Sequence, residues 1–487
     1  MNKIIGRQEE QQELTEVFKS KKAEFVVVYG RRRVGKTFLI EQFFKTKKCV
    51  YFHVTGVQDG LLKEQLAEFS KAIGKTFYGG ATIEAATTWM RAFDELNNAI
   101  NNLESSQKII IFIDELPWMA TKRSRILQAL DYYWNHYWSK KKNLKLVICG
   151  SSASWIIKNI IYNKGGLHNR YTCSLLIKPF SLYETKEFLK SRNVKINNKQ
   201  LLQLYMAIGG IPHYLDRIKK GLSIAQNIEL LCFKETGILF SEFEKLFKSL
   251  FDDAKVYIEL IRIISKLHEG VSRLFIEKHS KLSKKGGTLT DRLNDLEQAG
   301  FIKSFLPFKH QRRGVYYRII DEYTYFYLKW IEPEKQALLS NETTHHYWIH
   351  KTNSPMYYSW MGYSFESVCY KHITQIQKAL NIPMGSKAGT WRYSPKRGSK
   401  DSGAQIDLLF ERSDDAVTIC EIKCTNEPFT IDKNYYNLMM NKVSVYQKIT
   451  KTLKQVFIAF ISANGIKKSA YTNNIIGIVT LDDLLGE

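Results

Sequence analysis

The chain has no uninterrupted apolar run long enough to cross a bilayer, for which a helix needs about 20 residues, so a helical membrane span is not expected. It has no CxxC pair either. Its seven cysteines (Cys49, Cys149, Cys173, Cys232, Cys369, Cys420 and Cys424) are scattered, which points to reduced core thiols rather than a zinc site or a disulfide framework. The N-terminus, MNKIIGRQEEQQ, turns to charge after two isoleucines and lacks the apolar stretch of a signal peptide, so a cytoplasmic location is expected. No internal repeat or low-complexity tract is visible. His345, His346 and His350 have helical spacing but no carboxylate or cysteine partner at ligand distance along the chain, and are expected to be surface or packing residues. Acid is the other shortage. Lys plus Arg number 72 against 48 Asp plus Glu, a net charge of +24, which suits polyanionic partners such as nucleic acid or else a solvated lysine-rich surface.

At 487 residues, with 44% hydrophobic and 25% charged side chains, the chain is an ordinary globular protein too long for one core, and about two to four domains are expected. From Glu24 to about Ile177, β-branched runs (Phe25 to Tyr29, Cys49 to Val54, Lys108 to Ile113, Leu144 to Cys149, Ser174 to Ile177) alternate with amphipathic stretches, the signature of a parallel α/β sheet. From Ser181 to Asp253 strand signals stop and helical periodicity takes over, as in a lid. From Ala254 to about Ile320 the pattern predicts three helices and two strands, Phe301 to Leu306 and Val315 to Ile320, a winged-helix order. The expected domains are therefore 1–180, a parallel α/β core; 181–253, a helical lid; 254–332, winged helix; 333–356, a linker; and 357–487, a C-terminal α/β domain.

The strand-like FVVVYG runs directly into GRRRVGKT and then into the amphipathic TFLIEQFF. Glycine at Gly30 and Gly35 lets such a loop turn so that the N–H groups of Arg31, Arg32, Arg33 and Val34 face phosphate oxygens at a helix N-terminus. Lys36 would reach the β and γ phosphates of ATP and Thr37 would ligate Mg²⁺. Downstream, KIIIFIDE is a buried strand ending in Asp114, expected in the Mg²⁺ shell, and Glu115, expected to polarise the attacking water. The next strand, LKLVICGSS, ends in Ser151 and Ser152, which could sense the γ-phosphate or cap the following helix.

Together GRRRVGKT, IDELPWM, ICGSSASW and GGIPHYL resemble the prokaryotic P-loop ATPases of the AAA/STAND border, of archaeal type, whose C-terminal half is a DUF234-type, nuclease-like domain. The resemblance covers most of the chain. It implies that Gly6, Arg7 and Glu9 lie near the adenine and that Gly210, Ile211 and Pro212 close a lid over nucleotide. It also makes Arg170, in GGLHNRY, a candidate arginine finger acting across the subunits of a homo-oligomer, or else a surface residue.

In the middle domain, TLTDRLNDLEQA occupies the recognition-helix position with Leu289, Leu293 and Leu296 facing inward. Its outer face carries Asp291, Asp295 and Glu297 against Arg292, a poor match to DNA phosphates, so a structural or protein-contacting winged helix is expected. Lys309, His310, Arg312 and Arg313 at the wing tip suit non-specific backbone contact. Tyr323, Tyr325, Phe326, Tyr327 and Trp330 read as core.

Near the C-terminus QIDLLF and VTICEIKC flank the polar turn ERSDDA. Asp407 lies on the first strand, and Glu421 and Lys423, two apart on the second, share one face. Asp407 and Glu421, with the Ile422 carbonyl, would bind Mg²⁺ or Mn²⁺, while Lys423 would orient or deprotonate water. Glu366, on the upstream helix WMGYSFESVCYKHI, would complete the carboxylate set. The order of helix, hairpin, ExK strand and a helix near Tyr446 and Gln447 resembles the PD-(D/E)XK nuclease fold, except that Gln405 and Ile406 stand where its proline would precede Asp407. A loop with Lys387, Arg392, Lys396, Arg397 and Lys400 could grip a phosphate backbone. Cleavage of DNA, and DNA or partner binding without cleavage, both remain open on these residues.

Overall fold

The computed structural model describes residues 3–121, 123–162, 165–167, 169–281, 288–308, 314–340, 346–395 and 402–486. The wing-tip residues Lys309, His310, Arg312 and Arg313, together with His345, Lys396, Arg397 and Lys400, lie outside the described residues. The chain divides into two units, residues 1–179 with 291–300, and residues 180–290 with 301–487.

Unit 1 runs through α1 (Gln8–Lys19), β1 (Glu24–Tyr29), α2 (Lys36–Lys45), β2 (Val50–Thr55), α3 (Leu62–Phe77), α4 (Trp89–Asn101), β3 (Ile109–Asp114), α5 (Leu116–Met119), α6 (Ile126–His136), β4 (Leu144–Gly150), α7 (Ala153–Ile156) and β5 (Cys173–Leu176). The five strands pair in parallel in the order β2-β3-β4-β1-β5. Every residue of β3 and β4 is buried, which explains why both read as near-continuous apolar runs, interrupted by Lys145 in β4: a parallel sheet covered on two faces has no solvent side to mark with polar residues. Phe25, Phe52, Phe69, Trp89 and Phe93 share one core cluster of this unit. Because β4 lies between β1 and β3, the segments leaving β1, β3 and β4 emerge side by side at the carboxyl edge, where such sheets place their ligands.

Unit 2 opens with α8 (Leu182–Ser191), α9 (Asn198–Ile208), α10 (Pro212–Leu215), α11 (Ile224–Ile228) and α12 (Glu242–Leu250), with no strand among the described residues 181–253. Ser181, Asn197 and Ser223 each cap a helix reciprocally with a Glu or Gln three residues on, satisfying N–H groups that a helix start would otherwise leave orphaned. There follow α13 (Ala254–Ile264), β6 (Val271–Ser272), α14 (Arg273–His279), α15 (Thr288–Gln298, of which residues 291–298 belong to unit 1), β7 (Ile302–Phe305) and β8 (Tyr316–Ile319). Strand β6, absent from the sequence reading because two residues carry no periodicity, joins the hairpin in a β6-β8-β7 sheet. Leu289, Leu293 and Leu296 of α15 are buried, as the spacing predicts, and Asp291 is exposed.

Next come α16 (Glu322–Phe326), α17 (Lys335–Leu339), α18 (Tyr347–Lys351), α19 (Pro355–Lys371) and α20 (Ile373–Ala379). Tyr323, Phe326, Tyr327 and Trp330 are core residues, while Tyr325 is half-buried. Trp348, from the stretch 333–356, is buried as well. Its ring stacks on Phe233 at 5.5 Å with planes 11° apart, and its backbone N–H donates to Glu229 Oε2 at 2.6 Å. The last segment holds β9 (Lys387–Tyr393), β10 (Ala404–Glu411), β11 (Ala416–Lys423), β12 (Phe429–Thr430), α21 (Lys433–Thr450), β13 (Gln455–Ser462), β14 (Ile466–Lys467) and β15 (Gly477–Val479). Its main sheet has the order β15-β13-β11-β10-β9, antiparallel on the β9 side and parallel from β11 to β15. The helix α21 buries Met439, Val443 and Tyr446 in the same cluster as Ile406, Leu409, Ile419 and Phe460.

Candidate functional site

The loop between β1 and α2 owes its shape to two glycines. Gly30 has φ +142°, and a Cβ there would stand 2.3 Å from the Ile177 carbonyl oxygen; Gly35, at φ +89°, meets no neighbour, so only its backbone conformation asks for glycine. Between them Arg31 and Val34 are buried, Arg32 and Arg33 are half-buried, and Arg33 also takes a positive φ of 71°. Lys36 is buried and its ammonium donates to the Gly30 and Arg31 carbonyls at 3.1 and 3.0 Å, so it curls back over the loop. Arg7 braces the loop from outside: buried and left-handed at the start of α1, it donates to the Val34 carbonyl at 3.2 Å and pairs with Glu10 at 3.3 Å.

The carboxyl edges of β3 and β4 complete this cluster. Thr37 Oγ1 donates to Asp114 Oδ2 at 2.7 Å, and the N–H of Glu115 donates to Asp114 Oδ1 at 3.0 Å. Glu115 is left-handed, at φ +48°. Its Oε2 accepts both the N–H and the hydroxyl of Ser151, each at 2.9 Å. Ser152, not Ser151, stands at the N-cap of α7, and its side chain makes no capping bond among the described residues. In this structure Ser151 holds the carboxylate of Glu115. Arg170 is exposed, with Nε 3.4 Å from the Gly166 carbonyl. The donor set fits a nucleotide with its Mg²⁺, because a hydroxyl and a carboxylate already in contact can both join the shell of one hydrated cation beside a lysine and a glycine-bent loop.

Residues 4–218 match the family described as an ATPase domain predominantly from Archaea. Over this segment the chain is similar to an archaeal-type ATPase domain. An uncharacterized protein of Methanocaldococcus jannaschii is 26% identical over 411 residues, which span 83% of this chain and 84% of that protein. An uncharacterized ATP-binding protein of the same organism is 46% identical over 45 residues, 9% of this chain and 76% of its own length. Among solved structures, the Walker-type ATPase of Pyrococcus abyssi aligns with a TM-score of 0.48 at 19% identity, covering 67% of this chain and 96% of its own. The family match ends at residue 218, before the C-terminal sheet. No described helix is long and apolar enough to cross a membrane.

In unit 2 the expected carboxylates meet at the middle of the sheet. Asp407 and Glu421 fall on neighbouring strands, and the pairing of β10 with β9 shifts register between Ile406 and Leu409, so Asp407 sits at an irregularity of the ladder, where a side chain can be re-aimed. Asp407 Oδ2 accepts the Ile422 N–H at 3.2 Å. Burial raises the pKa of Glu366, on α19, and the charge of Asp407 raises it further; Asp407 is raised by burial and then by Glu421. Glu421 is different. Burial works against its charge, but Lys423 and Lys442 hold its pKa below the usual range, with Lys423 Nζ and Tyr435 Oη on Oε1 at 2.9 and 2.5 Å and Lys442 Nζ on Oε2 at 2.7 Å.

No group of three or more His, Cys, Asp or Glu side chains among the described residues is gathered as a metal-ligand set. Both oxygens of Glu421 are also engaged by ammonium and phenol groups. A Mg²⁺ or Mn²⁺ site asks for less, since Mg²⁺ commonly keeps several waters and takes only one or two carboxylates plus substrate oxygens, and the crowding of Glu366 on Asp407 is what a cation would relieve. The sequence reading missed Tyr435 and Lys442. They lie seven residues apart on α21, two turns along one face, and that spacing was the available signal.

Proposed function

We propose that the protein binds and hydrolyses ATP at the loop of residues 30–37 and that its nucleotide state controls a metal-dependent DNA nuclease centred on Glu366, Asp407, Glu421 and Lys423. The observation that carries the ATP half is the 2.7 Å bond from Thr37 to Asp114, which joins the phosphate loop to the acidic end of β3. Lys36 would move from the loop carbonyls to the β and γ phosphates, and the N–H groups from Arg31 to Gly35 would bind the same oxygens. Bound Mg²⁺ would supply charge neutralisation at those phosphates, held by Thr37 and Asp114. Glu115, once released by Ser151, would orient water; Arg170 is proposed to act on an adjoining copy.

The nuclease half is supported by two carboxylates on adjacent strands, a third from α19, and a lysine 2.9 Å from Glu421. Asp407 and Glu366 would hold Mg²⁺ or Mn²⁺ together with Glu421. Lys423 would orient the attacking water toward phosphorus. A second reading, binding of DNA or a protein without cleavage, is favoured by the full occupation of the Glu421 oxygens. Incubation with single-stranded circular DNA, plasmid and duplex in Mg²⁺ or Mn²⁺ decides between them. Cleavage lost in Glu421→Ala and in Lys423→Ala, with ATP turnover intact, supports the nuclease; intact DNA under every condition, with ATP still turned over, leaves the binding reading.

A further inference from the structure

Glu366 and Asp407 open into a cavity of about 340 Å³ that also draws its lining from the β6-β8-β7 sheet and the turn before it. One wall carries Glu366, Tyr370 and Asp407; the other carries Phe305, Tyr316 and Arg318. Four contacts hold the walls together. Arg392 pairs with Glu269, and the His268 ring stacks on Tyr363 with centroids 3.4 Å apart. The Phe308 N–H donates to the Thr390 carbonyl at 2.9 Å, and Gly389 lies so close to the Phe308 ring that a Cβ there would stand 2.6 Å from it. The hairpin is therefore seated on β9 and roofs the carboxylates.

Arg318 projects from β8 into this cavity. Its guanidinium carbon lies 3.5 Å from the centroid of the Tyr370 ring, and its buried Nε has no hydrogen-bond partner among the described residues. A buried cationic N–H left unpaired is costly, and a guanidinium beside carboxylates that would hold a cation is suited to a phosphate oxygen through its planar fork. The Phe305 ring packs against the same guanidinium, whose carbon lies 4.8 Å from its centroid, and the Tyr316 ring in the lining offers stacking for a base, which tolerates any base because each has a π face. The volume lies at the low end for small-ligand sites, roughly 300–1,000 Å³. That suits one nucleotide rather than a stack of base pairs.

We propose that this cavity binds one nucleotide of an unpaired DNA strand, with Arg318 holding its phosphate beside Glu366 and Asp407. Arg318 is thus a positioning and specificity residue that the β7–β8 hairpin supplies to the C-terminal sheet. The proposal narrows the substrate of the nuclease reading and rests on that reading for cleavage alone; binding is independent of it.

The test is binding of a fluorescent five-nucleotide oligodeoxythymidylate to the full chain without metal, at ~0.2 M salt to suppress contacts made through phosphate charge alone. Unlabelled single strand is expected to compete at least about tenfold better than a blunt hairpin duplex. Arg318→Ala is expected to weaken single-strand binding about tenfold or more, and Arg318→Lys to restore only part of it, because a point charge lacks the fork. Matched thermal midpoints show that the variants are folded. Equal competition by duplex, or unchanged affinity in Arg318→Ala, overturns the proposal. Arg318-dependent binding with no cleavage in Mg²⁺ or Mn²⁺ upholds the proposal and removes the nuclease reading; cleavage that ignores Arg318 does the reverse.

Discussion

At the scale of single residues, the nucleotide site depends on groups that cannot be exchanged for near relatives. Lys36 is buried with its ammonium already committed to loop carbonyls, so its removal takes away a cation that the proposed function assigns to the β and γ phosphates. Lys36→Ala is expected to lower ATP affinity by about 10- to 100-fold, the value of a charge-assisted hydrogen bond, as measured by calorimetric titration. Normal affinity in that variant contradicts the assignment. Gly35 separates conformation from packing, because a Cβ there meets nothing within 4 Å while φ stands at +89°. Gly35→Ala is therefore expected to cost about 1–2 kcal/mol in denaturant unfolding, from backbone strain alone.

At the scale of elements, what the sequence made legible follows from burial. The strands of unit 1 could be placed to within about a residue because β3 and β4 are apolar apart from Lys145 and stop abruptly at Asp114 and Gly150. The three carboxylates and Lys423 were legible for a similar reason: polar residues interrupting buried strands and a packed helix stand out. Three kinds of feature were not legible. Strand β6 is two residues long, below any period. The link from Ser151 to Glu115 depends on a left-handed glutamate, which no local pattern announces. The stretch 333–356 gives little sign that Trp348 inserts among Phe233, Phe326, Trp330 and Trp360, because α18 has only five residues and its partners are distant in sequence. That packing makes Trp348→Ala expensive, about 3–5 kcal/mol, checked by the shift of the urea midpoint. A loss under 1 kcal/mol would show that the tryptophan cluster is not a cooperative part of the core.

At the scale of the whole molecule, the phosphate-binding loop and the carboxylate sheet belong to different units, so control of one by the other is a claim about coupling rather than about either site. Coupling means a differential effect: nucleotide must change the output of the C-terminal site by an amount that vanishes when nucleotide cannot bind. The most direct measurement is the rate at which the protein cuts single-stranded circular DNA in Mg²⁺ with ATP, with ADP and with neither, for the natural chain, Lys36→Ala and Glu421→Ala. The account predicts a rate that differs at least about fivefold between nucleotide states, the lower end of ordinary allosteric coupling, in the natural chain. It predicts no such difference in Lys36→Ala and no cleavage in Glu421→Ala. Equal cleavage in all three nucleotide states of the natural chain, with ATP bound, would contradict it.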